Sequence, residues 1–357
     1  MGTFYVTLVF AEFAFCVSVG LAQSPQDLWT VDLSANADFQ KRLIVFEGLL
    51  NAPSISFLNN TQIICDFYDG QHRGQNFSAP ISGYHVLEID AKTGAFGRKL
   101  DFQPADDDSR ALPTDDGGFV VSTGKELKKF SREFVPGPSC REPRAQVNDR
   151  LLVDESPSRE TILIYDNTPQ DPTAGWSWLR AKDFTSIKSV QGPLTASIEA
   201  SDNAAIFNGI GNRELLAGGN ARAICARCDA YFITDDLLFI DKEKSYEIRT
   251  VDGRRQRTGG LNIQARNFTR ALDVTRVAYV TGSYRGWGFP IQKHFDRITG
   301  KIIVLDWSTN EEVGEIEVNE RTTNPSAGLS QMALALSPNG EFLAVLLHHT
   351  LSLYRLR

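Results

Sequence analysis

A short phrase that recurs along the chain limits its possible folds more than any other feature of the sequence. Two apolar residues, any residue, one apolar residue or Tyr, and then Asp occur together five times, ending at Asp32, Asp90, Asp166, Asp241 and Asp306. The intervals between these aspartates are 58, 76, 75 and 65 residues. Because structural repeats of this kind span about 40 to 50 residues, each of the two longest intervals is expected to hold two repeats. The phrase therefore predicts seven repeats, with one hidden copy at Leu127 to Ser131 and a second too degenerate to locate.

The end of the chain, from Ile302 onward, indicates what one repeat contains. Short apolar runs alternate there with polar turns such as Ser308-Thr309-Asn310 and Ser337-Pro338-Asn339-Gly340. Such a pattern predicts short antiparallel strands, and four of them joined by tight turns form one blade of a β-propeller. We therefore expect an all-β fold: a single β-propeller, with seven blades of four antiparallel strands, closed by pairing of strands from the two chain ends.

A second phrase, an apolar run broken by a short Asn or Asp turn, alternates with the first. It occurs at 55–60, at 112–121, at 198–207 and, eroded, at 271–280; Asn, Asp and Gly suit such turns because they tolerate positive φ. Together the two phrases resemble the repeats of the WD40/YVTN-like β-propeller superfamily over nearly the whole mature chain. Tyr279-Val280-Thr281-Gly282 looks like the YVTN variety, whereas no Gly-His pair opens a repeat and no Trp-Asp pair closes one. The resemblance implies the fold, and the kinds of binding partner typical of conventional WD40 proteins are not inferred for this chain.

The first 22 residues differ from the rest of the chain. Thr3 to Ala22 are apolar apart from Glu12 and a few small polar residues, and Gly20-Leu21-Ala22 offers the small residues that a signal peptidase prefers. The sequence therefore predicts a signal peptide at 1–22, a β-propeller domain at 23–357, and a secreted or periplasmic location. The n-region lacks Lys and Arg, and an uncleaved membrane anchor is the alternative interpretation.

The charge of the chain bears on its partners. Its formal net charge is −7, and removal of residues 1–22 would take away one acidic residue, Glu12, and leave −6. A mildly acidic protein disfavours non-specific nucleic-acid binding, which depends on clustered Lys and Arg. The local basic run Arg254-Arg255-Gln256-Arg257 is expected in a solvated loop that connects blades. We expect no nucleic-acid partner, no membrane association after cleavage, and a monomer.

Four cysteines remain after the predicted cleavage: Cys65, Cys140, Cys225 and Cys228. An exported protein can form disulfides, and four cysteines allow three pairings, among which the sequence does not choose. Cys225 and Cys228 have the spacing of redox or zinc motifs, but no second Cys-x-x-Cys completes a four-ligand site. A local structural disulfide or a pair of buried thiols is the favoured interpretation.

Local motifs for catalysis and cofactor binding are missing from the sequence. The chain has no Gly-x-Ser-x-Gly, no His-Glu-x-x-His and no phosphate-binding Gly-x-x-x-x-Gly-Lys, so no metal and no cofactor is predicted. His348 and His349 are expected in an exposed turn. The carboxylates at 106–108 and 115–116 lack the spacing of a calcium site, and solvated loops are expected there.

The segment 282–299 is irregular, and it carries aromatic and basic residues of the kind found in binding hot spots. The candidate binding residues are Tyr284, Arg285, Trp287, Phe289 and His294, with capping of their own blade as the alternative. A second loop is predicted around Trp176 and Trp178, with the same two interpretations.

The function predicted from these features is an exported scaffold that binds a protein or a small ligand. The alternative is a propeller enzyme, of hydrolase, lactonase or quinoprotein-like type, with its site at the central channel. A cluster of inward-pointing carboxylates, Asn or His at one end of the channel would favour the enzyme, and an apolar or empty channel would favour the scaffold.

Overall fold

Seven four-stranded antiparallel sheets make up the computed structural model of the protein. It describes residues 24–40, 53–70, 81–102, 109–123, 126–141, 151–166, 175–191, 197–208, 212–226, 228–242, 244–260, 266–283, 298–320 and 332–357. The candidate binding residues at 284–294, the predicted signal peptide and the carboxylates at 106–108 lie outside the described residues.

Each blade takes its strands from consecutive stretches of chain. Blade 1 contains β2 Ser54–Asn59, β3 Gln62–Gly70, β4 Ile81–Asp90 and β5 Phe96–Phe102, and blade 2 contains β6 Arg110–Pro113, β7 Phe119–Ser122, β8 Glu126–Phe130 and β9 Pro136–Arg141. Blade 3 contains β10 Leu151–Glu155, β11 Thr161–Asp166, β12 Gly175–Arg180 and β13 Ser186–Gln191, and blade 4 contains β14 Ser197–Ala200, β15 Ala204–Asn208, β16 Asn212–Ala217 and β17 Asn220–Ala226. Blade 5 contains β18 Asp229–Thr234, β19 Leu237–Asp241, β20 Ser245–Thr250 and β21 Arg255–Gly260, and blade 6 contains β22 Arg266–Arg270, β23 Arg276–Ser283, β24 Ile298–Asp306 and β25 Glu311–Glu320.

Blade 7 closes the ring with strands from both ends of the chain, as predicted. Its first three strands are β26 Met332–Leu336, β27 Phe342–Leu347 and β28 Thr350–Arg355, and its fourth is β1 Gln26–Asp32. β1 pairs antiparallel with β28 along its length. A 3-10 turn, Leu33–Ala35, and the short helix α1, Ala37–Gln40, follow β1. The N-terminal strand thus completes the last blade, and the seven-bladed all-β propeller predicted from the sequence is confirmed.

The first strands of the seven blades surround a central channel. Contacts between neighbouring first strands run from β22 to β26, β2, β6, β10, β14 and β18. Each first strand leads into a tight turn and then into the second strand, and these turns lie at one end of the channel, which we call the turn face. Residues near the ends of the first strands are therefore brought together although they are far apart in sequence.

Apolar side chains fill the spaces between neighbouring sheets. Between blades 7 and 1, Phe57, Ile89 and Leu353 are fully buried together with Phe39 of α1. Burial of each such side chain stabilises the fold by roughly 1.5–3 kcal/mol. The core is therefore distributed around the ring and not collected in one place.

Two features predicted as loops are strands instead. Trp176 and Trp178 are fully buried in β12, where they pack against Phe207 of blade 4, so the prediction of a loop around them is wrong. Their spacing of two residues is strand periodicity. Arg255 and Arg257 of the basic run belong to β21, the outermost strand of blade 5, and not to a loop between blades.

The recurrent aspartates do not occupy equivalent positions, which corrects part of the repeat assignment. Asp90 and Asp306 end the third strands of their blades, whereas Asp166 and Asp241 end second strands and Asp32 ends the closing strand β1. The blade number is still right because a shift by one strand changes an interval by less than one repeat. Likewise, the segment from Ile302 onward is not one blade: it covers the outer half of blade 6 and three strands of blade 7.

Hydrogen bonds in the turns explain why Asp recurs at the end of third strands. Asp90 Oδ1 accepts hydrogen bonds from the backbone N–H groups of Lys92 and Thr93, and Gly94, with φ of 72°, completes the turn. Ser131, in the predicted hidden copy, plays the same part in blade 2, where its Oγ accepts from the N–H of Glu133. Polar side chains that accept from nearby N–H groups stabilise such turns.

The second phrase corresponds to the turns between first and second strands, as its Asn and Asp residues predicted. Asp115-Asp116-Gly117, Asp202-Asn203 and the end of 55–60 all lie in such turns. Asp116 lies 2.6 Å from the Lys129 ammonium, so it forms an ion pair within its own blade. Among the described residues, no helix is long and apolar enough to cross a membrane.

Candidate functional site

A cavity of about 260 Å³ lies in the central channel and extends to the turn face. It is lined by residues from the first strands of four blades and the turns that follow them: Arg110, Leu112, Asp154, Glu155, Pro157, Arg159, Glu199, Phe268, Thr269, Arg270 and Leu272. Six of these eleven residues are charged, three of each sign. The cavity is therefore neither apolar nor purely acidic, and the charges of its lining balance.

The innermost strand of blade 3 supplies two adjacent carboxylates, Asp154 and Glu155. Asp154 Oδ1 lies 3.5 Å from the Arg110 guanidinium of blade 2, while Asp154 Oδ2 is buried and accepts no hydrogen bond from the described residues. The same is true of Glu155 Oε2. Burial raises the pKa of Glu155, and the positive charge of Arg159 opposes that rise. The cavity thus contains two acceptor oxygens that the described part of the protein does not use.

Arg159 reaches across the ring from blade 3 to blade 1. It stands in the first turn of blade 3, with a φ of 64°, and its Nη1 donates to the backbone oxygen of Phe57 over 2.7 Å. Burial lowers the pKa of Arg159, and the charge of Glu155 counteracts this effect. A buried guanidinium held by a backbone carbonyl is a fixed positive charge, because arginine stays protonated in proteins.

Glu199 and Arg270 link blades 4, 5 and 6. Glu199 Oε2 accepts a 2.7 Å hydrogen bond from the N–H of Phe232, and Arg270 Nη1 donates to the oxygen of the same residue over 2.9 Å. The Glu199 carboxylate and the Arg270 guanidinium lie 3.7 Å apart. Burial raises the pKa of Glu199 to about 7, against the opposing charge of Arg270. This carboxyl therefore changes charge near neutral pH.

Hydrogen bonds between successive turns hold the turn face together. The Asp115 N–H donates to the oxygen of Arg159, Ser158 Oγ donates to Asp202, and the Asp202 N–H donates to Asp235 Oδ1. In another part of the ring, the Asn339 N–H donates to Asn60 Oδ1. These bonds fix the rim of the cavity, because each turn is restrained by its neighbour.

The cavity contains carboxylates, and carboxylates clustered in the channel would favour an enzyme. Each of them, however, faces an arginine. In the part of the chain that the structure describes, no group of three or more His, Cys, Asp and Glu side chains is arranged to hold a metal ion. Of the described lining residues, Thr269 alone carries a hydroxyl, and none carries a thiol or an imidazole. The unused carboxylate oxygens suit the binding of a group that carries N–H or O–H donors, above all a positively charged one.

The structure brings together only part of what the sequence singled out. Cys225 and Cys228 are joined by a disulfide, with their Cα atoms 6.0 Å apart, so that the end of β17 in blade 4 is tied to the start of β18 in blade 5. Cys65 is buried in β3, and Cys140 lies in β9 of the next blade. His348 and His349 form the turn between β27 and β28.

The sequence analysis did not identify the charged residues of the cavity as a site. They come one to three per blade and are spread from Arg110 to Arg270, so no local motif contains them. One signal could have revealed them: Asp154, Glu155, Glu199 and Arg270 lie at or near the ends of short first strands, next to the turns. In β10, Asp154 and Glu155 directly follow the apolar run Leu151 to Val153.

Comparison with known proteins gives the fold. No protein-family model and no curated protein matches the chain. Among solved structures, the WD40 domain of Pan2 from Neurospora crassa is similar with a TM-score of 0.58 at 12% identity, covering 94% of this chain and 96% of that one. A chain of the Mitotic Checkpoint Complex gives 0.53 at 12% identity, covering 99% of each chain. The C-terminal WD40 domain of Sif2 gives 0.50 at 10% identity, covering 95% of this chain and 100% of that one. The chain therefore has the fold of the WD40 β-propellers, built here with seven blades.

Proposed function

We propose that this protein is an exported binding scaffold whose channel cavity receives a positively charged, donor-bearing group of a protein or a small ligand. The observation that carries the proposal is the pair of buried oxygens, Asp154 Oδ2 and Glu155 Oε2, which accept no hydrogen bond from the described residues and lie at a cavity that extends to the turn face. A buried acceptor without a donor costs about 1–3 kcal/mol. A ligand that supplies the donors recovers this free energy, which gives the site a preference for such groups.

The rigidity of the site supports the same proposal. Arg159 and Arg270 are each held by a backbone carbonyl, so they stay in place whether or not a ligand is present. Preorganised sites bind more tightly because less conformational freedom is lost on binding. Export is supported by the apolar segment 3–22 and by the Cys225–Cys228 pair, since disulfides persist in oxidising compartments.

The test is affinity capture of the mature chain from the extracytoplasmic fraction of its host, with bound proteins, metals and small molecules identified by mass spectrometry. The D154N/E155Q variant replaces these two carboxylates by amides with little change in volume, and Glu199 keeps its carboxyl group. D115N/E160Q removes the same charge from two exposed side chains near the turn face. We expect the wild type and D115N/E160Q to retain one stoichiometric ligand and D154N/E155Q to lose it.

Equal retention by all three proteins would contradict the cavity as the binding site. A retained metal or organic cofactor, without a protein or cationic ligand, would favour the enzyme alternative. Export is tested separately by N-terminal sequencing of the protein from the host, which is expected to begin at Gln23 and not at Met1.

A further inference from the structure

The rim of the propeller carries two charged patches of opposite sign on neighbouring blades. The basic patch lies where blades 4 and 5 meet, and the acidic patch lies on the outer strand of blade 6. The basic patch includes Arg255 of β21, which lies opposite Arg249 of β20 in the antiparallel register of blade 5. The patch is therefore part of a rigid sheet edge.

Five cationic side chains form the basic patch: Arg222, Lys242, Arg249, Arg254 and Arg255. The patch bridges two blades, because Arg222 Nη1 donates to the oxygen of Asp252 in blade 5 and Arg249 Nη1 donates to the oxygen of Ile224 in blade 4. Two carboxylates lie among the cations, the buried Glu247 and the exposed Asp252. Five positive and two negative charges leave a formal charge of +3.

Four glutamates of β25 whose side chains the structure describes form the acidic patch: Glu311, Glu312, Glu315 and Glu317. One cation is paired within it, since Lys301 Nζ lies 2.6 Å from Glu315. Four negative charges and one positive charge leave −3. Burial and the neighbouring Glu315 charge raise the pKa of Glu312, as expected where carboxylates crowd together.

We propose that these patches join two copies of the chain into a symmetric dimer, in place of the monomer expected from the sequence. The two patches are opposite in sign, and they follow one another around the rim. A two-fold axis parallel to the channel places the basic patch of each copy against the acidic patch of the other. A two-fold axis in the plane of the disc would instead place each patch against itself. Charge complementarity therefore selects one dimer, and its two contacts are identical, as a closed two-fold interface requires.

The strength of this contact depends on salt. Exposed charge pairs contribute little individually, and the Debye length falls from about 10 Å at 0.1 M to about 3 Å at 1 M ionic strength. We therefore expect sedimentation velocity of the mature chain to show a dimer at low ionic strength that dissociates at about 1 M salt.

Charge reversal at exposed positions tests the geometry. R222E/R254E changes the basic patch from +3 to −1, and E311K/E317K changes the acidic patch from −3 to +1. Each variant then carries two patches of like sign and is expected to be monomeric, with a dissociation constant raised at least about tenfold.

Matched controls change the charge by the same amount at exposed turns away from the patches. K92E/R132E, in blades 1 and 2, matches R222E/R254E, and E133K/D183K, in blades 2 and 3, matches E311K/E317K. Both controls are expected to dimerise like the wild type.

The decisive measurement is a mixture of the two patch variants. In a mixed pair, −1 meets +1 at one contact and −3 meets +3 at the other, so an equimolar mixture is expected to restore a 1:1 dimer. The proposal is overturned if the wild type is monomeric at low salt, if both patch variants remain dimeric, or if the mixture stays monomeric although both variants melt cooperatively. Assemblies longer than a dimer would overturn the two-fold arrangement.

Discussion

Asp66 in blade 1 and the channel pair Asp154 and Glu155 are all carboxylates with buried oxygens, but their hydrogen-bond partners differ. Asp66 accepts hydrogen bonds from Ser54 Oγ, from Tyr84 Oη over 2.6 Å and from the N–H of Ala111 in blade 2. Asp154 and Glu155 each keep a buried oxygen to which no described residue donates. Burial raises the pKa of both Asp66 and Glu155, so the effect of desolvation on the pKa does not distinguish the two sites.

The difference shows how structural and binding carboxylates can be told apart. The surroundings of Asp66 use its acceptor capacity, and one of its donors belongs to the next blade, so this carboxylate holds blades 1 and 2 together. The channel carboxylates face a cavity, and a ligand that enters it can supply the donors they lack. We therefore expect changes at Asp66 to lower stability and changes at Asp154 and Glu155 to lower binding.

The largest effect is expected for Asp66→Ala. The substitution leaves the hydroxyl of Tyr84 and the N–H of Ala111 buried without this acceptor, which costs about 3 kcal/mol of the free energy of unfolding. Chemical denaturation of the mature chain measures the loss. Asp66→Asn keeps the size and one acceptor oxygen, so its loss should be smaller. A loss below about 1 kcal/mol for Asp66→Ala would show that these hydrogen bonds do not stabilise the contact between the blades.

An intermediate effect is expected for Glu199→Gln, and it depends on pH. The pKa of Glu199 is raised from 4.5 to about 7 in the folded protein, so between these values the unfolded chain ionises while the folded one stays protonated. The stability of the wild type therefore falls as pH rises from 4.5 to about 7, by at most roughly 3 kcal/mol. The figure is an upper bound because the Glu199 side chain is 21% exposed and solvent screens it.

Glutamine does not titrate, so the variant should lose this part of the pH dependence. The free energy of unfolding of Glu199→Gln, relative to wild type, should rise between pH 4.5 and about 7 and stay constant above. Denaturation at several pH values measures the difference, and Glu160→Gln, at an exposed position in blade 3, is the control. A difference that does not change with pH would contradict the raised pKa.

The contrast between local and long-range contacts also explains what the sequence could and could not predict. The blade number followed from local patterns: apolar alternation, and turn residues such as Asp90 that bond to the next few N–H groups. Which strand of a blade each phrase occupies was harder to predict. Asp90 ends the third strand of blade 1, but Arg180 and Thr250 end the third strands of blades 3 and 5. In those two blades the phrase matched the second strand instead, ending at Asp166 and Asp241.

The channel site could not be predicted in the same way, because closure of the ring creates it. Arg159 and Phe57 are 102 positions apart in sequence and meet only when blades 1 and 3 surround one channel. Trp176 and Trp178 show the opposite error. They were predicted to lie in a loop, yet Trp178 donates its indole N–H to the oxygen of Ser201 in the next blade. Long-range packing decides both cases.

The smallest change in stability is expected for D154N/E155Q, and this variant tests the comparison most directly. Asp154 Oδ1 lies 3.5 Å from an exposed arginine, Arg110, and neither Asp154 Oδ2 nor Glu155 Oε2 accepts a hydrogen bond from the described residues. Replacing the carboxylates by amides leaves neither arginine without a partner, because Arg110 is exposed to solvent and Arg159 keeps its hydrogen bond to the oxygen of Phe57. We expect the free energy of unfolding to change by less than about 1 kcal/mol, as for a solvent-exposed ion pair.

Chemical denaturation of D154N/E155Q and of Asp66→Ala, under the same conditions, makes this comparison in one experiment. A small change in the channel variant, with a large one at Asp66, would separate a site kept for binding from one kept for stability. A loss of about 3 kcal/mol or more in D154N/E155Q would mean that the channel charges hold the blades together. The unused oxygens would then be a cost of that charge network, and they would no longer support the cavity as the binding site.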